Sequence, residues 1–121
     1  MKPKAVDFVS YNVTDMARSE PFYREVLGME VSGPWGGPGD PFAEFEVGGT
    51  TVSLTQLEQL PMQAMVALAV DDAAAMIEEL RGKNVPVLME IMETGACFMG
   101  IIADPDGNQI LIHQRKDGTA G

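Results

Sequence analysis

The chain has 121 residues, 45% of them apolar, enough for one hydrophobic core and too few for two independent ones. Eighteen acidic against eight basic side chains leave a formal charge of −10, which disfavours a nucleic-acid partner and suits cationic or neutral ligands, besides serving plain solubility. Every apolar run is broken well short of the roughly 20 residues that span a bilayer, and residues 1–4 lead straight into an alternating pattern with no room for a secretory signal, so a cytoplasmic protein without a membrane partner is expected.

Residues 7–13, Asp-Phe-Val-Ser-Tyr-Asn-Val, alternate with the two-residue period of a strand, and Thr14-Asp15 ends the pattern. A helix is expected next, capped by Ser19, with Pro21 in its first turn, an apolar stripe of Phe22, Tyr23, Val26 and Leu27, and a stop at Gly28. A short strand over 29–32 leads into the Gly/Pro-rich loop 33–41, which carries the only tryptophan, Trp35. Strands at 42–47 and 51–57 follow, joined by a tight turn at Gly48-Gly49. Residues 57–63 link this half to the next.

The second half repeats the order. Residues 65–70 form a strand, Asp71-Asp72 leads into a helix with Ala73, Met76, Ile77 and Leu80 on one face, and Gly82 ends it. Strands at 85–90, 96–103 and 109–114 complete the half, the last two around the turn Asp104-Pro105-Asp106-Gly107-Asn108. Laying Phe8 on Met65 also lays Val13 on Val70 and Asp15 on Asp72. The chain therefore reads as α+β, a single domain over 1–121 in which two βαβββ modules, about 5–57 and 64–115, form a curved mixed sheet enclosing a cup-shaped cavity, with a flexible tail at 116–121.

Strand alternation separates two faces. Val9, Tyr11, Val13, Val52, Leu54, Val66, Leu68, Val70, Ile110 and Ile112 are expected on the helices. The other face carries Phe8, Ser10, Asn12, Thr51, Ser53, Thr55, Met65, Ala67, Ala69, Gln109, Leu111 and His113, a mixture of small, polar and large apolar side chains suited to lining a cavity.

The motifs Asn12-Val13-Thr14-Asp15-Met16-Ala17-Arg18-Ser19, Phe22-Tyr23-Arg24-Glu25-Val26-Leu27-Gly28-Met29 and Asp104-Pro105-Asp106-Gly107-Asn108 resemble the vicinal-oxygen-chelate superfamily over residues 6 to 114. That superfamily includes glyoxalase I, extradiol dioxygenases, fosfomycin-resistance thiol transferases, methylmalonyl-CoA epimerases and bleomycin-resistance binding proteins, so the resemblance implies a fold and leaves the reaction open. It also implies where metal ligands stand in the metalloenzymes: near the start of the first strand and midway along the last strand of each half. Those points are Phe8, Ser53, Met65 and Leu111, none of them a donor for a divalent metal, so no metal and no other cofactor is expected. Pairing of two chains is common in the superfamily, and a homodimer is the implied assembly.

Other candidates keep two readings each. His113, the only histidine, either finishes its strand near the rim or supplies acid/base chemistry with Glu46 or Glu44. Glu44 and Glu46 otherwise form a solvated strand face. Met62, Met65, Met89, Met92 and Met99, five of nine methionines, are core packing or a pliable cup lining. Trp35 is a lid over a planar ligand or an anchor for its loop, and Cys97, the only cysteine, reads as a buried inert thiol that leaves no disulfide framework or multi-cysteine metal site.

These residues point first to a metal-independent protein that binds a small organic molecule, cationic or aromatic, through Phe8, Ser10, Asn12, Trp35, Phe45, Ser53, Thr55, Met65, Leu111 and His113, in the manner of drug sequestration. The alternative is a glyoxalase-like lyase, isomerase or dioxygenase with a non-standard metal site or with metal-free acid/base chemistry. A third possibility is a cup altered, by evolution or engineering, for a new ligand or reaction.

Overall fold

A computed structural model describes residues 1–33, 36–37, 39–58 and 64–121 of the chain. Two βαβββ halves are present, in a mixed α+β chain. The first runs β1 (Ala5–Asn12), α1 (Met16–Pro21), a π-helical segment (Phe22–Val26), β2 (Glu30–Val31), β3 (Phe42–Val47) and β4 (Thr50–Thr55). The second runs β5 (Ala64–Ala69), α2 (Ala73–Gly82), β6 (Val87–Glu93), β7 (Cys97–Ala103) and β8 (Gln109–Arg115). The chain divides into two compact units, residues 8–64 and residues 1–7 with 65–121.

In the first unit the strand order is β2-β3-β4-β1, with β4 parallel to β1 and antiparallel to β3. Val47 pairs with Thr50 across Gly48 and Gly49, whose φ values of 55° and 85° are the left-handed conformation a two-residue hairpin turn demands and glycine supplies without strain. The second unit repeats the arrangement as β5-β8-β7-β6, with β8 parallel to β5 and antiparallel to β7. Here the β7–β8 turn is tied by Asp104, whose carboxylate accepts from the backbone N–H of Asp106 and Asn108 and from the Asn108 amide; the Asn108 side-chain bond, above all, holds the Asp104 carboxyl below its ordinary value.

The first helix departs from expectation. It starts at Met16, after Asp15, so Ser19 lies inside it and Pro21 is its last residue. Proline has no N–H to continue the α ladder. The backbone widens beyond it, the N–H of Leu27 reaching the carbonyl of Phe22 at 3.1 Å. Both helices are received at the last strand of their own half, by a residue just past β4 or within β8: Gln56 Oε1 accepts from Met16 N at 2.7 Å, and Gln114 Oε1 from Ala73 N at 2.8 Å. Each is one of the N-terminal donors a helix leaves unpaired, so the repeated glutamine fixes the helix to its own sheet.

Each unit has its own apolar core. Met16, Ala43, Phe45 and Leu54 form the first, with Val13, Tyr23 and Met29 packed against them. The Phe45 ring is fully buried and stacks on Tyr23 with centroids 5.9 Å apart; burial, with the nearby Tyr11 as a lesser cause, raises the Tyr23 pKa. Glu20 of α1 is also fully buried, held by Arg24 Nε at 2.9 and 3.1 Å. Val70, Ala73, Met76, Ile77, Ile102 and Ile112 form the second core. Of the expected helix-facing residues, Leu54, Val70 and Ile112 are buried, whereas Tyr11 and Val66 are exposed. Gly100 lets β7 approach closely: an added methyl would lie 3.1 Å from the Met89 carbonyl and 3.2 Å from the Ile77 side chain.

This division of β3 makes a direct prediction. Phe45→Ala removes a fully buried ring and is expected to cost about 3–5 kcal/mol in urea unfolding, whereas Phe42→Ala, on the same strand but half exposed, is expected to change stability by about 1 kcal/mol or less.

Candidate functional site

Strand register builds a polar face in the first unit opposite its core. Across β1 and β4, Phe8 pairs with Thr51, Ser10 with Ser53 and Asn12 with Thr55; across β4 and β3, Thr51 pairs with Glu46, Ser53 with Glu44 and Thr55 with Phe42. Three rows result, each crossing three strands on one side of the sheet.

The row of Asn12, Thr55 and Phe42 is internally bonded. Asn12 Oδ1 accepts from Thr55 Oγ1 at 2.9 Å and from Leu57 N at 3.0 Å, while its Nδ2 donates to the Leu57 carbonyl at 3.0 Å. These two side chains, expected to contact ligand, spend polar atoms on the end of β4. In the row of Phe8, Thr51 and Glu46, the Thr51 hydroxyl donates to Glu46 at 3.1 Å.

The middle row is different. Ser10 and Ser53 are 4% and 8% exposed, and among the described residues neither hydroxyl has a hydrogen-bond partner. Leaving such a group unpaired and out of water costs about 1–3 kcal/mol each. Glu44, at the end of the row, has no ion pair or hydrogen bond to its carboxylate among the described residues, and a methyl built on Gly33 would lie 3.6 Å from one of its oxygens. Glu30 sits opposite Glu46 on β2, which adds a third carboxylate to this face. The strands β1 to β4 contain no lysine or arginine.

Phe45, expected among the ligand-contacting residues, alternates with Glu44 and Glu46 and therefore points to the core, where it is fully buried. Trp35 and Met62 lie outside the described residues.

In the second unit, Ala67 pairs with Leu111 and Ala69 with His113, while Met99 lies opposite His113 on β7. Leu111 is buried and Met65 half-buried. Cys97 is buried with its sulfur 3.2 Å from Thr94 Oγ1. His113 is buried too, its Nδ1 2.6 Å from the Asp7 carboxylate. An ionised carboxylate only accepts, so in this contact Nδ1 is the donor. Asp7 also faces Arg115 at 3.3 Å and accepts from Gly121 N at 2.8 Å. The carboxylate partner of His113 is thus Asp7, in place of Glu46 or Glu44. Nothing in local sequence links positions 7 and 113.

A cavity of about 180 Å³ opens in this unit beside Lys4, Asp71, Gln114, Arg115, Lys116 and Thr119. It contains none of the expected ligand residues, and its cations are already matched: Lys4 with Asp71 at 2.6 Å, Lys116 with Glu93 at 2.5 Å, Arg115 with Asp7.

The residues at the four points that the resemblance implies for metal ligands do not fit a metal. Phe8 and Leu111 have no donor atom, Met65 offers a neutral thioether, and Ser53 a neutral hydroxyl. Among the described residues no three His, Cys, Asp or Glu side chains converge on a point that could hold an ion.

Comparison with known proteins sets these faces in a family. The model of the Glyoxalase/Bleomycin resistance protein/Dioxygenase superfamily matches residues 5–112. No curated protein matches the chain. Among solved structures, methylmalonyl-CoA epimerase from Mycobacterium tuberculosis is 20% identical with a TM-score of 0.70, over 93% of this chain and 88% of that one. A superfamily member from Vibrio splendidus 12B01 is 20% identical with a TM-score of 0.66, over 89% and 96%. The Mn(II)-bound glyoxalase from Novosphingobium aromaticivorans is 22% identical with a TM-score of 0.67, over 99% of this chain and 41% of that one. At such identities the likeness is one of fold. The match over residues 5–112, carried by the two βαβββ halves, makes this chain a member of the Glyoxalase/Bleomycin resistance protein/Dioxygenase superfamily.

Proposed function

We propose that this chain is a metal-independent binding protein for a small organic molecule, cationic and partly aromatic, which it sequesters without chemistry. What supports this reading is the donor chemistry at the points that the family resemblance implies for metal ligands: Phe8, Ser53, Met65 and Leu111 offer apolar or weakly polar side chains there. The acidic balance of the chain and the carboxylates of Glu30, Glu44 and Glu46 favour a cation over an anion. No described helix is long and apolar enough to cross a membrane; a cytoplasmic location, a single domain and a homodimer complete the proposal, and light scattering of the purified protein is expected to give the mass of two chains rather than one.

A second reading, acid/base catalysis of a lyase or isomerase type, is favoured by the buried Asp7–His113 pair. A carboxylate that fixes the tautomer of a histidine is a recurring way to prepare a general base. Deuterium uptake from D2O into propionyl-CoA, lost in Asp7→Asn, is the result that would favour it over binding alone; the binding reading expects no uptake.

The primary reading is tested by elemental analysis of protein purified without chelator, followed by thermal-shift titration with Zn²⁺, Ni²⁺, Mn²⁺ and Fe²⁺. Substoichiometric metal and no specific rise in Tm are expected. Stoichiometric metal, or a stabilisation that His113→Ala removes, contradicts it.

A further inference from the structure

We infer that the Ser10–Ser53–Glu44 row is the seat of a primary ammonium group, and that the ligand of this protein is an aryl-alkyl amine; the inference rests on the metal-independent binding reading and specifies its ligand. Three observations meet in the row. Ser10 and Ser53 are register partners on β1 and β4, both more than nine-tenths buried, with hydroxyls unpartnered among the described residues. Glu44 is the register partner of Ser53 on β3, and its carboxylate is also unpaired among the described residues. The four strands that carry this face supply no lysine or arginine to neutralise Glu44, Glu46 or Glu30.

The chemistry of these groups selects among ligands. A phosphate or carboxylate would meet only repulsion from the glutamates. A protein-held divalent ion is gripped by several ligating side chains converging on one point, and no three His, Cys, Asp or Glu side chains converge among the described residues. A protonated primary amine has three N–H donors and no acceptor, and the row offers it one carboxylate and two hydroxyl oxygens. Binding would partner both buried hydroxyls and pair the exposed Glu44 carboxylate in one step. The neighbouring row of Asn12 and Thr55 is bonded to itself and does not compete for the ligand. Phe42 ends that row, half exposed on the same face, where it can take an aromatic body or the cation against its ring.

The test compares phenethylamine, phenethyl alcohol and phenylacetate, three probes of one shape with positive, neutral and negative heads, by isothermal titration and thermal shift on the full chain. Phenethylamine is expected to bind best, and Glu44→Gln to weaken it about tenfold or more, as for loss of a charged hydrogen bond, while leaving phenethyl alcohol unchanged. Glu78→Gln, an exposed carboxylate on α2, is expected to change nothing. The double variant Ser10→Ala/Ser53→Ala is expected to hold or raise the Tm of the free protein, because it deletes two unpaired buried hydroxyls, and yet to weaken phenethylamine. If phenethyl alcohol or phenylacetate binds as tightly, or Glu44→Gln binds phenethylamine as well as the parent, the ammonium assignment is wrong while ligand binding by the face stands. If none of the three probes binds, the assignment and the binding reading of this face both fall. A lower Tm in the serine double variant with unchanged affinity would give the hydroxyls a structural role and overturn the assignment.

Discussion

The position of β4, clamped between a parallel neighbour and an antiparallel one, governs the first half of this protein. A strand paired on both edges cannot slip by one residue without turning every side chain to the opposite face. Register therefore settles two things together: Leu54 is sealed in the core with Phe45 and Met16, and Ser53 is carried to the other side beside Ser10 and Glu44. The stability of the apolar side holds the polar side in place. The cost of two unpaired hydroxyls there is offset by packing on the other face, where Phe45 stacks on Tyr23.

Much of this was legible in the sequence. Alternation, turn residues and the repeat together place the strands of the described residues to within a few positions, because these signals come from burial of one face of a pleated strand and from the turns that join strands. Phe45 shows the limit of reading residue type without position. As an aromatic side chain it suggested a ligand contact, yet its alternation with Glu44 and Glu46 assigns it to the core, a consequence of pleat geometry that the sequence already contained. The start of α1 was missed because Ser19 is a good capping type, while the entry is held by the long-range bond from Met16 to Gln56. Gln56 and Gln114 stand at matching places in the repeat, so comparison of the halves was the signal that could have found them. The Asp7–His113 contact had no such signal, since it joins residues near opposite ends of the chain.

Membership of the superfamily and the contents of the faces answer different questions. The family match follows the scaffold, which in its solved relatives accompanies an epimerase and a Mn(II)-bound glyoxalase alike. Chemistry follows the side chains at a few points, and the points that the family resemblance implies are Phe8, Ser53, Met65 and Leu111 in this chain, which lack the usual metal donors. What remains polar is displaced by one register row, from Phe8 to Ser10, and onto a neighbouring strand at Glu44. A site for a metal and a site for an organic cation both gather negative or lone-pair-bearing oxygens; they differ in how tightly those oxygens must converge.

The account therefore turns on whether the polar face of β1, β3 and β4 takes ligand at all. Backbone amide chemical-shift mapping during titration with phenethylamine, in metal-free buffer, addresses this most directly. Shifts concentrated at Ser10, Glu44, Thr51 and Ser53, with Ala43, Phe45 and Leu54 of the core little changed, are the expected result. Saturable shifts confined to the second unit around Leu111 and His113, or no saturable shift anywhere, would contradict it.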